Sequence, residues 1–194
     1  MQVKIEKIFS IDASPAKAWQ FLQDIPGVAG CMPGAQITEQ IDDSNYKGSV
    51  KVKIGPATAA FKGDIEIKGI DVDKFELHML GTGADVKGTS SATMDLVASV
   101  HDTGDGKCEL LGNAAVTVNG KMASLGGRMM TQVSDQIIKQ FGANFANNVL
   151  AMGEGAAAEE AASKAAEQPK ELNAFGLMWG VFLGFLKGLF GKKA

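Results

Sequence analysis

The chain has 194 residues, 45% hydrophobic and 21% charged, with 19 basic and 22 acidic side chains and a formal net charge of -3. This length suits one domain plus an appendage, and the composition excludes an intrinsically disordered chain; the slight acidic excess argues against nucleic acid as a partner. Cys31 and Cys108 are the only cysteines, too few to staple a secreted fold, so a reducing compartment is expected, with pairing of the two in space as the alternative.

The N-terminal MQVKIEKIFSID alternates charged and apolar side chains rather than joining a basic patch to an apolar run, so no export is expected. Val3, Ile5, Phe9 and Ile11 recur with the period of a half-buried strand. Asp12 and Ser14 are cap candidates before Pro15 and the short helical run AKAWQFL. DIPGVAGCMPGA, residues 24–35, holds two Pro-Gly pairs and predicts a short helix and turns.

From Ala35 to Val118 the pattern is repeatedly strand-like. A run near residues 36–41 turns at DDSN into YKGSVKVKI, and TAAFKGDIEIKGI follows with Phe61, Ile65 and Ile67 inward. KFELHMLGTG places Phe75, Leu77 and Met79 on one side; TSSATMDLVASV gives Met94, Leu96, Ala98 and Val100; CELLGNAAVTVNG gives Leu110, Val116 and Val118. About seven strands, each with one wet face and several joined by short turns, predict an antiparallel sheet.

After Gly120 the period changes. Val133, Ile137, Phe141, Phe145 and Val149 fall four apart, with Leu125, Met129, Met130 and Ile138 on adjacent rows, which predicts a long amphipathic helix between Ser124 and Met152. Its stripe needs the concave face of the sheet, giving an α+β layer arrangement. Glycines within the strands, among them Gly48, Gly63, Gly81, Gly83 and Gly112, supply bends that curl a sheet around that helix, and the interface between them is either a cavity or fully packed.

Residues 153–171, GEGAAAEEAASKAAEQPKE, carry no large apolar side chain and predict a partly helical tether. The segment 172–194 differs sharply: AFGLMWGVFLGFL runs thirteen residues without a charge before Lys187, Lys192 and Lys193. On a helical wheel Phe175, Met178, Trp179, Phe182, Phe185, Leu186, Leu189 and Phe190 belong to a wide apolar arc, the arrangement of a membrane-anchoring helix lying in the interface with its lysines at anionic headgroups. Two other readings stay open, packing back on the domain's own core and a short tilted span associating through Gly176, Gly180, Gly184 and Gly188.

His78 and His101 are the only histidines, and neither stands beside a spaced ligand cluster, so no metal site is expected. GTGADVKG, residues 81–88, lacks the third glycine of a dinucleotide fingerprint and opens no helix. The candidate ligand-lining positions are Phe61, Ile65, Phe75, Leu77, Met79, Met94, Leu110, Met129, Met130, Val133, Ile137 and Phe141. Each suits an ordinary core as well as a cavity wall.

Six stretches in order, SPAKAWQFLQD, CMPGA, YKGSVKVKIGP, AFKGDI, GTGADVKGTSSATM and VNGKMASLGGRMM, resemble the CoxG-like family of carbon monoxide dehydrogenase, within the START-like SRPBCC superfamily, over residues 1–152. The resemblance implies a helix-grip fold: a curved antiparallel sheet around a long C-terminal helix and a hydrophobic cavity. It also implies a non-catalytic carrier of an isoprenoid quinone, menaquinone or ubiquinone, with no covalent cofactor. Such a carrier would serve molybdenum hydroxylase (carbon monoxide dehydrogenase-like) subunits as an electron-transfer accessory, peripherally attached to lipids on the cytoplasmic face of the membrane. By motif position, Pro33-Gly34 and Gly55-Pro56 would shape turns near the cavity mouth, Phe61, Met129 and Met130 would touch the ligand, and Arg128 would serve structure or docking. The alternatives are a ligand-free adaptor for the same enzyme, and an enzyme of cyclase or hydrolase kind with a carboxylate deep in the pocket.

Overall fold

A computed structural model describes residues 1–54, 57–125 and 127–166, with side chains other than those of residues 53, 54, 57, 125 and 127–130. In chain order the elements are β1 (Gln2–Ile11), α1 (Pro15–Leu22), α2 (Ile25–Cys31), β2 (Ala35–Gln40), β3 (Asn45–Ile54), β4 (Ala57–Asp71), β5 (Glu76–Asp85), β6 (Ser90–Gly104), β7 (Lys107–Gly120), a 3-10 turn at Lys121–Leu125, α3 (Gly127–Ala151) and α4 (Ala156–Ala166). The seven strands form one antiparallel sheet ordered β1-β7-β6-β5-β4-β3-β2, a meander from β2 to β7 that β1 completes by pairing with β7. The sheet curves around α3, so both the α+β arrangement expected from the pattern and the helix-grip fold that the resemblance implies are found.

Local chemistry explains the helix starts. Ser14 precedes α1 in extended conformation with Pro15 in the first turn, and α2 is capped by Asp24, whose carboxylate accepts from the Gly27 amide at 3.1 Å. A Cβ at position 27 would collide with that same carboxylate, so the cap requires glycine there.

One end of the sheet is sealed. Trp19, Phe21 and Leu22 of α1 and Ile25 of α2 cover Leu77, Ala98, Val100, Leu110 and Cys108, while Phe145 and Val149 of α3 are fully buried. Phe145 packs edge-on against Phe21 at 5.1 Å and beside Phe141 at 5.9 Å. Asn144 donates to the Cys31 carbonyl at 2.9 Å and Asn148 to the Cys31 thiol sulfur at 3.5 Å, which ties α2 to α3 through satisfied polar groups. Gly142 lets β1 approach α3 closely, because a Cβ there would enter the Phe9 ring.

Two features differ from expectation. Phe75 is not an inward strand residue: Asp71 accepts from the Lys74 amide, Phe75 turns left-handed at φ 51°, and its ring stacks on Trp19 at 5.5 Å. The stretch expected to be a partly helical tether does hold a helix, α4, but that helix packs against α3 with Ala158 and Ala161 buried. Alanine needs no bulk to be buried when two helices approach closely, which is why composition concealed the contact. Pro169 and the apolar segment, with Phe175, Met178, Trp179, Phe182, Phe185, Leu186, Lys187, Leu189, Phe190, Lys192 and Lys193, lie outside the described residues.

Candidate functional site

Strand alternation sorts the concave face into rows. One crosses the sheet through Tyr46, Ile65, Gly81, Met94, Val116 and Val3; the next through Ile67, Met79, Leu96, Ala114 and Ile5. A third row, nearer the β3–β4 connection, runs from Ile37 through Gly48, Gly63, Gly83 and Ala92 to Val118, so its middle is built almost without side chains. Gly63 is obligatory, since a Cβ there would meet the Thr82 carbonyl, whereas a Cβ at Gly81 would touch only Met94 at ordinary contact distances.

Burial along this face is graded. Leu77 and Leu110 at the α1/α2 end are 1% and 2% exposed, whereas Phe61, Ile65, Met79, Met94, Leu96 and Val116 are only half-buried, between a buried Tyr46 on β3 and a buried Val118 on β7. The helix above shows the same gradient: Phe145 and Val149 are fully buried, while Val133, Ile137 and Phe141 stay half-buried. With glycines in place of side chains on one row of the sheet, and no fully buried side chain among residues 131–141 of α3, apolar atoms on both elements keep only part of their packing partners. The half-open region is therefore an apolar surface facing inward.

Of the candidate lining residues, Phe61, Ile65, Met79 and Met94 share the concave face of the sheet and Val133, Ile137 and Phe141 are half-buried on α3, where Phe141 packs edge-on against Phe9 at 6.2 Å. Leu77 and Leu110 are inside the buried core, and Phe75, Ile65, Met79 and Phe141 pack against its edge. Met129 and Met130 fall in the first turns of α3, and their side chains are outside the described ones. Leu96, Val116, Val3 and Ile5 join the face although they were not singled out as lining. Their parity with Met94 and Val118 carried the signal, but the pairing of β1 with β7 was needed to use it.

The polar chemistry near this face is sparse. Lys7 is ion-paired with Asp135 of α3 at 3.1 Å where β1 meets the helix. Asp85, at the rim end of β5, accepts from the Thr89 hydroxyl at 2.8 Å. Both histidines are on the convex side, His78 bonded to Asp95 at 2.7 Å and His101 to the Ser99 hydroxyl at 3.0 Å, all of them solvent-accessible. Among the described residues no group of three or more potential metal ligands gathers. Such a face offers dispersion and desolvation, hence affinity for an apolar molecule.

Cys31 and Cys108 are free thiols, buried at 0% and 1% exposure. Burial, reinforced by the Asp24 charge, pushes the Cys31 thiol up to about 12, and burial also raises Cys108. A thiol reagent at mildly alkaline pH is expected to label neither in the native chain and both after denaturation. Native labelling at Cys31 would contradict the α2–α3 packing.

Residues 8–150 match the profile of the carbon monoxide dehydrogenase CoxG family. Solved structures similar to the chain include a conserved protein from Geobacillus kaustophilus, at 20% identity and TM-score 0.68, covering 76% of this chain and 95% of that one. The Zhui aromatase/cyclase from Streptomyces sp. R1128 is similar at 10% identity and TM-score 0.56, covering 77% and 94%. A START superfamily protein from Mycobacterium smegmatis is similar at 13% identity and TM-score 0.54, covering 77% and 99%. At these identities the likeness speaks for the fold. No curated protein matches the chain.

Proposed function

The chain belongs to the CoxG family of carbon monoxide dehydrogenase, and from that premise we propose that it is a non-catalytic, membrane-attached carrier of an isoprenoid quinone or similar apolar lipid serving a molybdenum hydroxylase. The observation that carries the proposal is the burial gradient of the concave face, sealed at Leu77 and Leu110 but half-open at Ile65, Met79 and Met94. An isoprenoid tail laid on those side chains gains about 0.8 kcal/mol for each buried methylene equivalent. Nothing in that contact requires a proton to move, so loading and release are governed by desolvation alone.

Attachment is assigned to residues 172–194, in whose sequence eight bulky apolar side chains share one helical arc with three lysines alongside. No helix among the described residues is long and apolar enough to cross a membrane.

The test is extraction. The full chain, purified from membranes in mild detergent and extracted with organic solvent, should yield a stoichiometric isoprenoid by mass spectrometry. A folded protein whose extract holds no apolar molecule, yet which co-purifies with hydroxylase subunits, would replace the carrier by a ligand-free adaptor. Truncation after Glu171 should move the protein from the membrane to the soluble fraction, and retention at the membrane would remove the anchoring role of the last segment.

A further inference from the structure

Charge is segregated along the strands. At the sealed end, residues 39–47, 68–77 and 100–109 carry nine acids and four lysines. Each of those lysines is engaged in an ion pair: Lys47 with Glu39, Lys68 with Glu66, Lys74 with Asp71 and Lys107 with Asp12. At the opposite end, residues 48–62, 84–92 and 117–125 carry Lys51, Lys53, Lys62, Lys87 and Lys121 against a single acid, Asp85. Among them Lys51, Lys62, Lys87 and Lys121 are exposed, and none of these four forms an ion pair among the described residues.

The backbone puts all four at one end of the sheet, Lys51 and Lys62 on its convex side and Lys87 and Lys121 in or beside the connections that close that end. Lys51 pairs across β3 and β4 with Ala60, whose carbonyl accepts from the Val86 amide at 2.9 Å; the Lys121 amide in turn donates to the Thr89 carbonyl at 3.0 Å. The β5–β6 connection is thereby held against the start of β4 on one side and the 3-10 turn on the other. Exposed Val86, beside Lys87, stands in this rim. The half-buried Phe61, Ile65 and Met94 lie on the same side of the sheet's midpoint, away from the α1/α2 seal.

We propose that this lysine rim is a docking surface for an anionic lipid bilayer, so that the half-open end of the apolar face is set against the membrane and the acidic hairpin end points away from it. The inference rests on the carrier reading: an apolar ligand entering by this rim would not cross water. The polarity of the charges supports a single orientation, since a negative surface attracts the unpaired lysines and repels the aspartates of the hairpin tips. An acidic protein surface would match the same lysines, but it would have no use for an apolar opening beside them.

The test uses the full chain on vesicles of phosphatidylcholine with or without phosphatidylglycerol. A fluorophore is placed at Val86→Cys or at Val72→Cys, residues 56% and 60% exposed at opposite ends; the native thiols are buried. A headgroup-borne quencher in phosphatidylglycerol vesicles should quench the label at position 86 strongly and that at 72 weakly. The quadruple variant Lys51→Glu, Lys62→Glu, Lys87→Glu, Lys121→Glu should lose this difference and bind the anionic vesicles at least about tenfold more weakly, each lysine near such a surface being worth roughly a factor of five. Equal quenching at both positions, or a quadruple variant that behaves like the parent, would overturn the docking surface. Organic extraction of the same parent preparation separates the two claims: lipid present with equal quenching sinks the orientation alone, and lipid absent sinks the carrier.

Discussion

Phe145→Ala should cost about 3 to 5 kcal/mol of folding stability, the range for truncating a fully buried phenylalanine where the cavity cannot collapse. Phe145 is 0% exposed and wedged between Phe21 of α1 and Phe141 on its own helix, with the Asn144 to Cys31 hydrogen bond one residue away. Those neighbours hold the site open once the ring is gone. A loss of that size is a large part of the roughly 5 to 15 kcal/mol that holds an ordinary domain together. Urea unfolding should show the midpoint falling sharply with an unchanged slope. Val133→Ala on the same helix provides the contrast, because its half-buried side chain should cost less than about 1.5 kcal/mol. Equal costs at the two positions would mean that the helix is packed evenly along its length.

Gly81→Leu should leave the fold intact and empty the site. A Cβ at this position touches Met94 at 3.5 Å and approaches no backbone atom more closely than 4.0 Å, so a side chain can start there without displacing the backbone, in the row containing Ile65 and Met94. Replacing a strand glycine also removes its entropic handicap, roughly 0.5 to 1 kcal/mol, so thermal stability should hold or rise slightly. Lipid recovered per protein should fall at least about tenfold, equivalent to about 1.4 kcal/mol or more of lost affinity. Undiminished lipid in a folded Gly81→Leu protein would mean that the apolar molecule sits elsewhere. Gly63→Leu is the control for backbone collision: with the Thr82 carbonyl in the way, it should disturb β4 and β5 themselves.

Much of the fold is legible from side-chain period. Val3, Ile5, Phe9 and Ile11 announce β1, and the change from period two to four after Gly120 announces α3, because each pattern reflects burial of one face. Phe75 was misleading, since its strand-like spacing with Leu77 cannot reveal that the β4–β5 turn sends it left-handed toward Trp19. Leu77 and Met79 share one face two residues apart, yet one is sealed under α1 and the other half-open. Periodicity gives the face of a strand, while position along it depends on which helix lies overhead. The charge segregation was hidden for a related reason: Lys51, Lys62, Lys87 and Lys121 are scattered in sequence and reach one end of the sheet only through the antiparallel register. Ala158 and Ala161 show the limit of composition, because small residues report neither exposure nor close helix contact.

The central claim is that the half-open end of the concave face holds the apolar ligand, and photolabelling addresses it directly. A quinone analogue with a diazirine in its isoprenoid tail, irradiated on the full chain in membranes, should label peptides from β4, β5, β6 and the first half of α3, with adducts at or beside Ile65, Met79, Met94 and Ile137. Adducts confined to convex-face residues such as Val97 and Leu111, or to residues 174–190, would contradict it.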